Sequence, residues 1–138
     1  MKIYRLIHSY RLAHGWNETK MIGYFDSEMN CQEVIRNLLP KPGYRDYPDS
    51  FYTIEDRIPD IQGGNIPNTV YEVTSERIIN ITDSYVSFLG VYAYEASAQN
   101  RVAKCKKRIS KSKKETVFYI EPYTINKVHW SEGFDREG

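Results

Sequence analysis

The stretch Lys20-Met-Ile-Gly-Tyr-Phe-Asp-Ser-Glu28 reads as a strand that leads into a helix, and Ser87-Phe-Leu-Gly-Val-Tyr-Ala-Tyr-Glu95 repeats that pattern. Gly23 matches Gly90 and Glu28 matches Glu95, so the two stretches are 67 residues apart. The same shift, without a gap, aligns further identities: Tyr4 with Tyr71, Gln32 with Gln99, Phe51 with Phe118, Tyr52 with Tyr119 and Ile58 with Ile125. Apolar blocks stay in step as well, which indicates two similar units.

The first unit is expected to fold as strand, strand, helix, strand. Residues 3–10, 20–25 and 51–58 have the β-favouring composition of strands. Ser27 belongs to a polar helix start, and Pro40 ends the helix. Between them, apolar residues recur at the spacing of one helix face, namely Cys31, Val34, Ile35, Leu38 and Leu39.

The second unit repeats this order, with strands at 69–77, 85–92 and 116–125 and a helix at about 94–110. We therefore predict an α+β fold with antiparallel-rich sheet and two helices, in which two tandem β-β-α-β units form one compact pseudo-symmetric domain. The predicted boundaries are 1–60 for the first unit, 61–68 for a linker and 69–138 for the second unit with a C-terminal tail. Each unit leaves sheet surface to be covered, either by extending one sheet across both units or by face-to-face packing.

At 138 residues, the chain is long enough to bury a sizeable core, so we expect it to fold without disulfides. Cys31 and Cys105 each fall on the apolar face of a predicted helix, which is typical of buried thiols rather than of a bridge or a metal site. Neither a run of about twenty apolar residues nor a signal-peptide core is found, so a cytoplasmic location without membrane contact is expected. No cofactor or metal is predicted.

The sequence contains few of the residue patterns that are typical of catalytic sites. The three histidines lack the spacing of a zinc site, and no glycine-rich phosphate loop or nucleophile elbow occurs. A cluster of His8, Asp46 and Glu132 would suit acid-base chemistry if the fold brought the three together, and a small hydrolase around His8 and His129 is a third alternative. We predict a protein that is not an enzyme.

The first candidate surface is the tyrosine loop (residues 40–50), where prolines flank Tyr44, Arg45, Asp46 and Tyr47. Tyrosine and arginine are frequent at interface hot spots, and flanking prolines reduce the entropy lost on binding. Its alternative role is intramolecular, with both tyrosines covering the sheet and Arg45 paired to Glu132. The predicted partner-binding residues are Tyr44, Arg45, Asp46, Tyr47, Asp49, Glu55, Asp56 and Asp60.

The second candidate surface is basic. Residues 1–100 carry 9 Lys/Arg against 13 Asp/Glu, whereas residues 101–138 carry 10 against 5. A stripe on the second helix would contact phosphates or an acidic protein in a salt-dependent way, or would simply be a solvated face. The residues of this alternative surface are Arg101, Lys104, Lys107, Arg108, Lys111 and Lys114.

Three segments resemble the signature of a family of small, functionally uncharacterised bacterial and phage α+β proteins. They are residues 8–10 with 20–28, the Pro42-Gly-Tyr-Arg-Asp-Tyr-Pro48 loop leading to Phe51, and the tail His129-Trp-Ser-Glu-Gly-Phe134. The resemblance covers residues 2–58 and about 116–134, with a diverged second copy inserted between loop and tail. It implies an α+β fold and no known activity.

These observations favour a non-enzymatic cytoplasmic binding protein. The leading hypothesis is an immunity protein, as in toxin-antitoxin and contact-dependent growth inhibition systems, that binds and neutralises a cognate bacterial toxin. If that toxin is a nuclease, its basic site would attract acidic patches. The alternative is a nucleic-acid-binding accessory protein that uses the basic helix at residues 101–114.

Overall fold

A computed structural model describes residues 1–12, 15, 17–61, 65–109 and 115–130, with the Ile109 side chain left out. Eight elements follow one another along the chain. They are β1 (Lys2–Arg11), β2 (Asn17–Phe25), α1 (Glu28–Leu38), β3 (Phe51–Arg57), β4 (Thr69–Ile78), β5 (Ser84–Tyr92), α2 (Glu95–Ile109) and β6 (Glu115–Thr124). The predicted α+β class and the repeated β-β-α-β order are confirmed.

The strands form two three-stranded antiparallel sheets, with the orders β2-β1-β3 and β5-β4-β6. Each copy of the repeat thus builds its own sheet, with its first strand in the centre. Strand β2 begins at Asn17, three residues before the predicted start, because its pairing with β1 continues as far as Arg11.

The repeat extends to an irregularity in the strand pairing. The register of β1 against β2 shifts between Leu6 and Ile7, and that of β4 against β5 shifts between Val73 and Thr74. These positions differ by the same 67 residues as the sequence repeat. A β-bulge bends and twists its strand, so the two sheets share a local distortion as well as a strand order.

The chain divides into two compact units. The first unit contains Lys2–Asp56 together with the chain from Thr124 on, and the second contains Arg57–Tyr123 together with Met1. The repeat alone assigns the tail to the second unit, but its described residues bond to β2 of the first. The amide of Asn126 donates to Tyr24 O at 2.8 Å, and that of His129 donates to Ile22 O at 2.7 Å. We call residues 125–130 the tail segment.

Helix α1 begins and packs as its sequence predicts. Ser27 is the N-cap, and its hydroxyl accepts a 3.1 Å hydrogen bond from the Asn30 amide. The core of the first unit comprises Leu6, Ile22, Phe25, Cys31, Leu38 and Tyr44, with Val34 and Ile35 packed against it. Burial raises the pKa of Cys31 to about 11, which keeps its thiol protonated and unreactive.

The N-terminus of helix α2 is capped by a residue distant in sequence rather than by a neighbouring hydroxyl. The counterpart of Ser27 is Tyr94, and Asp60 accepts hydrogen bonds from the Ala93 and Tyr94 amides at 2.8 and 3.0 Å. On the face of α2 that contains Cys105, Ala98 is buried, while Val102 and Cys105 are half-buried. Both cysteines are free thiols. In the parts of the chain that the structure describes, no helix has the length and hydropathy needed to cross a membrane.

Candidate functional site

The tyrosine loop connects α1 to β3 through consecutive tight turns. The Tyr44 amide donates to Lys41 O, the Tyr47 amide to Tyr44 O and the Ser50 amide to Tyr47 O, over 3.0 to 3.2 Å. Gly43 has φ +86°, in the left-handed region that favours glycine. The backbone of the loop is therefore fixed by its own hydrogen bonds.

Tyr44 anchors this loop in the core of the first unit. Its side chain is 0% exposed, and its hydroxyl donates a 2.9 Å hydrogen bond to Trp130 O in the tail segment. Burial raises the pKa of Tyr44 to about 12, so the phenol remains a donor throughout the physiological range. Tyr44 thus has the intramolecular role, and it joins loop and tail.

Tyr47 is held from two sides. The His8 ring lies with Nε2 3.0 Å from Tyr47 O, and because a carbonyl only accepts, Nε2 carries the proton. The Tyr47 ring stacks on Tyr10 with centroids 3.8 Å apart and an interplanar angle of 7°. Even so, Tyr47 is 37% exposed. It therefore presents one ring face to solvent from a fixed position.

His8 is fully buried below the loop, among the rings of Tyr10, Tyr44 and Phe51. Burial lowers its pKa below the ordinary 6.5, and the nearby Lys20 ammonium lowers it further, whereas the bond to Tyr47 acts in the opposite direction. Within the described residues, His8 Nδ1 has no hydrogen-bond partner. The ring is thus a neutral structural donor.

Lys20 is the residue that sequence reasoning missed. Its side chain is 0% exposed, and Nζ lies 3.3 Å from Glu18 Oε1, 5.1 Å from the Tyr10 ring centroid and 5.9 Å from that of Trp130. An ammonium near aromatic faces gains cation–π attraction that offsets part of its desolvation. Lys20 therefore lies buried between Glu18 and the rings of Tyr10 and Trp130. Alternation along β2 groups Lys20 with Ile22 and Tyr24, but because lysine is rarely fully buried, that pattern alone did not predict its burial.

The tail segment closes over β2 at a glycine. A Cβ on Gly23 would lie 2.5 Å from Lys127 O, closer than side chains approach a backbone oxygen. The Asn126 side chain also accepts from the Asp26 amide at 3.1 Å, and Asn126 itself has φ +66°. Only glycine at position 23 allows this approach, which in turn brings Trp130 to Tyr44 and Lys20.

The predicted partner-binding residues separate into exposed and structural groups. Arg45, Asp46, Tyr47 and Asp49 are exposed on the loop, and Glu55 is exposed with an ion pair to Lys2 at 3.0 Å. By contrast, Tyr44 and Asp56 are buried, and Asp60 belongs to the second unit as the cap of α2.

Asp56 illustrates how burial turns a predicted surface acid into a structural one. Its Oδ2 lies 3.0 Å from Arg5 Nε. Burial raises the pKa of this carboxyl, while the Arg5 charge opposes that shift. The acidic surface of the first unit is therefore smaller than the sequence indicates.

The predicted His8, Asp46 and Glu132 cluster is not assembled from described residues. His8 is buried and Asp46 is exposed, while Glu132 and His14 lie outside the described residues. His129 is exposed in the tail segment. In the described ranges, no three His, Cys, Asp or Glu side chains come close enough together to hold a metal ion.

The predicted basic surface lies on α2. Lys104, Lys107 and Arg108 are exposed, and Arg101 is half-buried with its Nε donating to Leu89 O at 3.2 Å. Lys111 and Lys114 lie outside the described residues. In the described part of α2, Lys104, Lys107 and Arg108 are thus solvent-exposed, whereas Arg101 contacts strand β5 of the second unit.

No protein-family model, curated protein or solved structure matches this chain.

Proposed function

We propose that this chain is a non-enzymatic protein-binding protein whose contact surface is the exposed side of the tyrosine loop. The observation that carries this proposal is that the loop is fixed from behind, through Tyr44, His8 and Tyr10, while Arg45, Asp46 and Tyr47 remain exposed. A surface ordered before binding loses little conformational entropy when a partner docks. Arginine and tyrosine are also among the side chains enriched at interface hot spots.

The partner we propose is a bacterial toxin, which makes the protein an immunity protein. Such a protein must occlude a partner rather than transform it, and a rigid, charged aromatic loop suits occlusion. Asp46 and Asp49 would meet a basic partner surface, and charge complementarity of that kind accelerates association. A nuclease, whose active site attracts the phosphate backbone, is the toxin class that offers such a surface.

The experiment is co-expression with the product of the neighbouring gene, followed by purification of the complex and titration calorimetry. We expect a tight complex, protection of the host from that product, and affinity reduced by about tenfold or more in Arg45→Ala and Asp46→Ala. The matched controls are Arg36→Ala and Glu33→Ala on the exposed side of α1, which should bind like the parent protein. Absence of a complex, or loop variants that bind normally, would reject the proposal.

A second candidate function, nucleic-acid binding, is favoured by one specific observation. The described part of α2 after Glu95 contains no acid, and Lys104, Lys106 and Arg108 are exposed there. Binding through phosphates would weaken steeply as salt rises. The test is a gel-shift series with single- and double-stranded oligonucleotides. If the protein binds nucleic acid through α2, triple substitution of Lys104, Lys107 and Lys111 by Gln should abolish the shift.

A further inference from the structure

The second unit contains an open cleft at the place where the first unit is filled. The cleft has a volume of about 500 Å³ and is lined by residues of β4, β5, α2 and β6. This volume lies within the range of ~300–1,000 Å³ usual for ligand pockets. All of its lining residues belong to the second unit.

The 67-residue repeat identifies the cleft with the space around Tyr44. Residues grouped around Tyr44 include His8, Ile22, Leu38 and Phe51. Their counterparts line the cleft, and they are Ser75, Leu89, Cys105 and Phe118. The strand registers support this equivalence, since both sheets place their bulge at matched positions.

Two kinds of sequence difference distinguish the second copy at this site. His8 and Lys20, which fill the first site, are replaced by Ser75 and Ser87. The residue aligned with Tyr44 is Lys111, so the aromatic anchor itself is missing from the second copy. Among its described residues, the second unit therefore keeps the apolar positions Leu89 and Phe118 of the site, and the sequence has no aromatic residue at the position of Tyr44.

The cleft also differs from the first site in charge. Arg77, Arg101 and Arg108 line it, at positions where the first copy has Tyr10, Val34 and Lys41. Arg101 is oriented by its bond to Leu89 O. The described residues that line the cleft include no carboxylate, so three arginines line it together with the apolar side chains of Leu89 and Phe118.

We propose that this cleft binds a segment of a partner protein in which an aromatic side chain is flanked by carboxylates. The aromatic ring would enter the space that Tyr44 fills in the first unit and pack on Leu89 and Phe118. The carboxylates would pair with Arg77 and Arg108 in the bidentate geometry that guanidinium favours. This site lies in the other unit from the tyrosine loop and is independent of the immunity role.

The experiment uses the full chain and a synthetic peptide, Glu-Asp-Tyr-Asp-Glu with blocked ends. Cys105 lines the cleft and is half-buried, whereas Cys31 is fully buried, so labelling by a maleimide reports occupancy of the cleft. The peptide is expected to slow labelling of Cys105 in a saturable way. Replacing its tyrosine with alanine, or its acids with the corresponding amides, should weaken binding by about tenfold each.

Protein variants complete the test. Arg77→Gln and Arg108→Gln are both at exposed positions and should each weaken peptide binding about tenfold, the effect of losing a charge-assisted pair. Lys106→Gln removes the same charge from α2 outside the cleft and should bind like the parent protein. Circular dichroism establishes that each variant is folded.

Three results would overturn the proposal. The first is peptide binding that is unchanged when the peptide's tyrosine is replaced or when Arg77 or Arg108 is substituted. The second is protection of Cys105 that depends on protein concentration alone, which would assign the cleft to a second copy of the chain. The third is equal protection by an oligonucleotide without aromatic specificity, which would assign it to nucleic acid.

Discussion

The Tyr44 hydroxyl donates its hydrogen bond to the main-chain oxygen of Trp130, 86 residues further along the chain. This bond joins the tyrosine loop to the tail segment within the core of the first unit. Because a backbone oxygen accepts it, the contact does not depend on the side chain at position 130. Loop position and tail position are therefore linked, and a change in either should appear in the other.

Truncation of Tyr44 should separate the packing and hydrogen-bond contributions to this link. We expect Tyr44→Ala to lower the free energy of unfolding by about 3–5 kcal/mol, as aromatic core truncations do. Tyr44→Phe should cost about 1 kcal/mol, for the bond alone. Urea denaturation measures both, with Tyr52→Ala at an exposed position as the control. Equal losses for Phe and Ala would contradict this account.

Gly23→Ala should displace the tail segment. The added Cβ would meet Lys127 O at 2.5 Å, and since that atom is backbone, the segment must shift as a whole. We expect a loss of about 1–3 kcal/mol in stability, typical of overpacking, together with a red-shifted Trp130 emission. The measurement uses a Trp16→Phe background, which leaves Trp130 as the sole tryptophan. Asn17→Ala, exposed on the same strand, should leave the emission unchanged.

His8 should make stability fall in mild acid. Burial lowers the pKa of His8 in the folded state below 6.5, so the unfolded chain binds more protons in the interval between the two values. The free energy of unfolding should therefore be largest above pH 6.5 and should decrease as the pH falls from 6.5 toward the folded-state pKa. Denaturation midpoints between pH 7.5 and 5 measure this change.

The His8→Gln variant tests whether His8 is responsible for that acid sensitivity. Glutamine retains an N–H donor for Tyr47 O but does not titrate, so the dependence between pH 6.5 and 5 should flatten. His129→Gln should keep the parent profile, since His129 is exposed. An unchanged profile in His8→Gln would show that another group causes the effect.

The two helix starts should respond to different substitutions. Ser27→Ala removes the hydroxyl that caps α1. Asp60→Ala removes the carboxylate that accepts hydrogen bonds from the Ala93 and Tyr94 amides. Each change should cost about 1 kcal/mol. Thermal unfolding measures the loss, and Asp49→Ala, which removes an exposed acid, should change stability by less than about 0.5 kcal/mol. A neutral Asp60→Ala would contradict its capping role.

Local patterns predicted the parts of this fold that local interactions determine. The apolar spacing from Cys31 to Leu38 and the hydroxyl of Ser27 fixed the extent and start of α1, and both are confirmed. The cap of α2 was not predicted, because Asp60 lies more than thirty residues before the amides whose hydrogen bonds it accepts. The repeat register likewise assigned the tail to the nearer unit, because the bonds that hold residues 125–130 on β2 join positions about a hundred residues apart.

The candidate site shows the same division. The exposed loop residues were evident from composition, because turn formers and charges exclude a core position for Arg45 and Asp46. Burial of Lys20 was not evident, because its environment depends on Trp130, which follows 110 residues later. The cleft in the second unit was not evident either, since it depends on how Arg77, Arg108 and Phe118, from three separate elements, come together in the fold.

The position of the tail segment imposes an order on folding during synthesis. The first unit contains the earliest strands, yet its core is complete only when residues 125–130 have left the ribosome. Arg57–Tyr123 emerge before that point and can reach their own packing first. Of the two units, the one whose strands are translated earlier is thus completed later, and its nascent core remains partly uncovered while residues 57–123 are made.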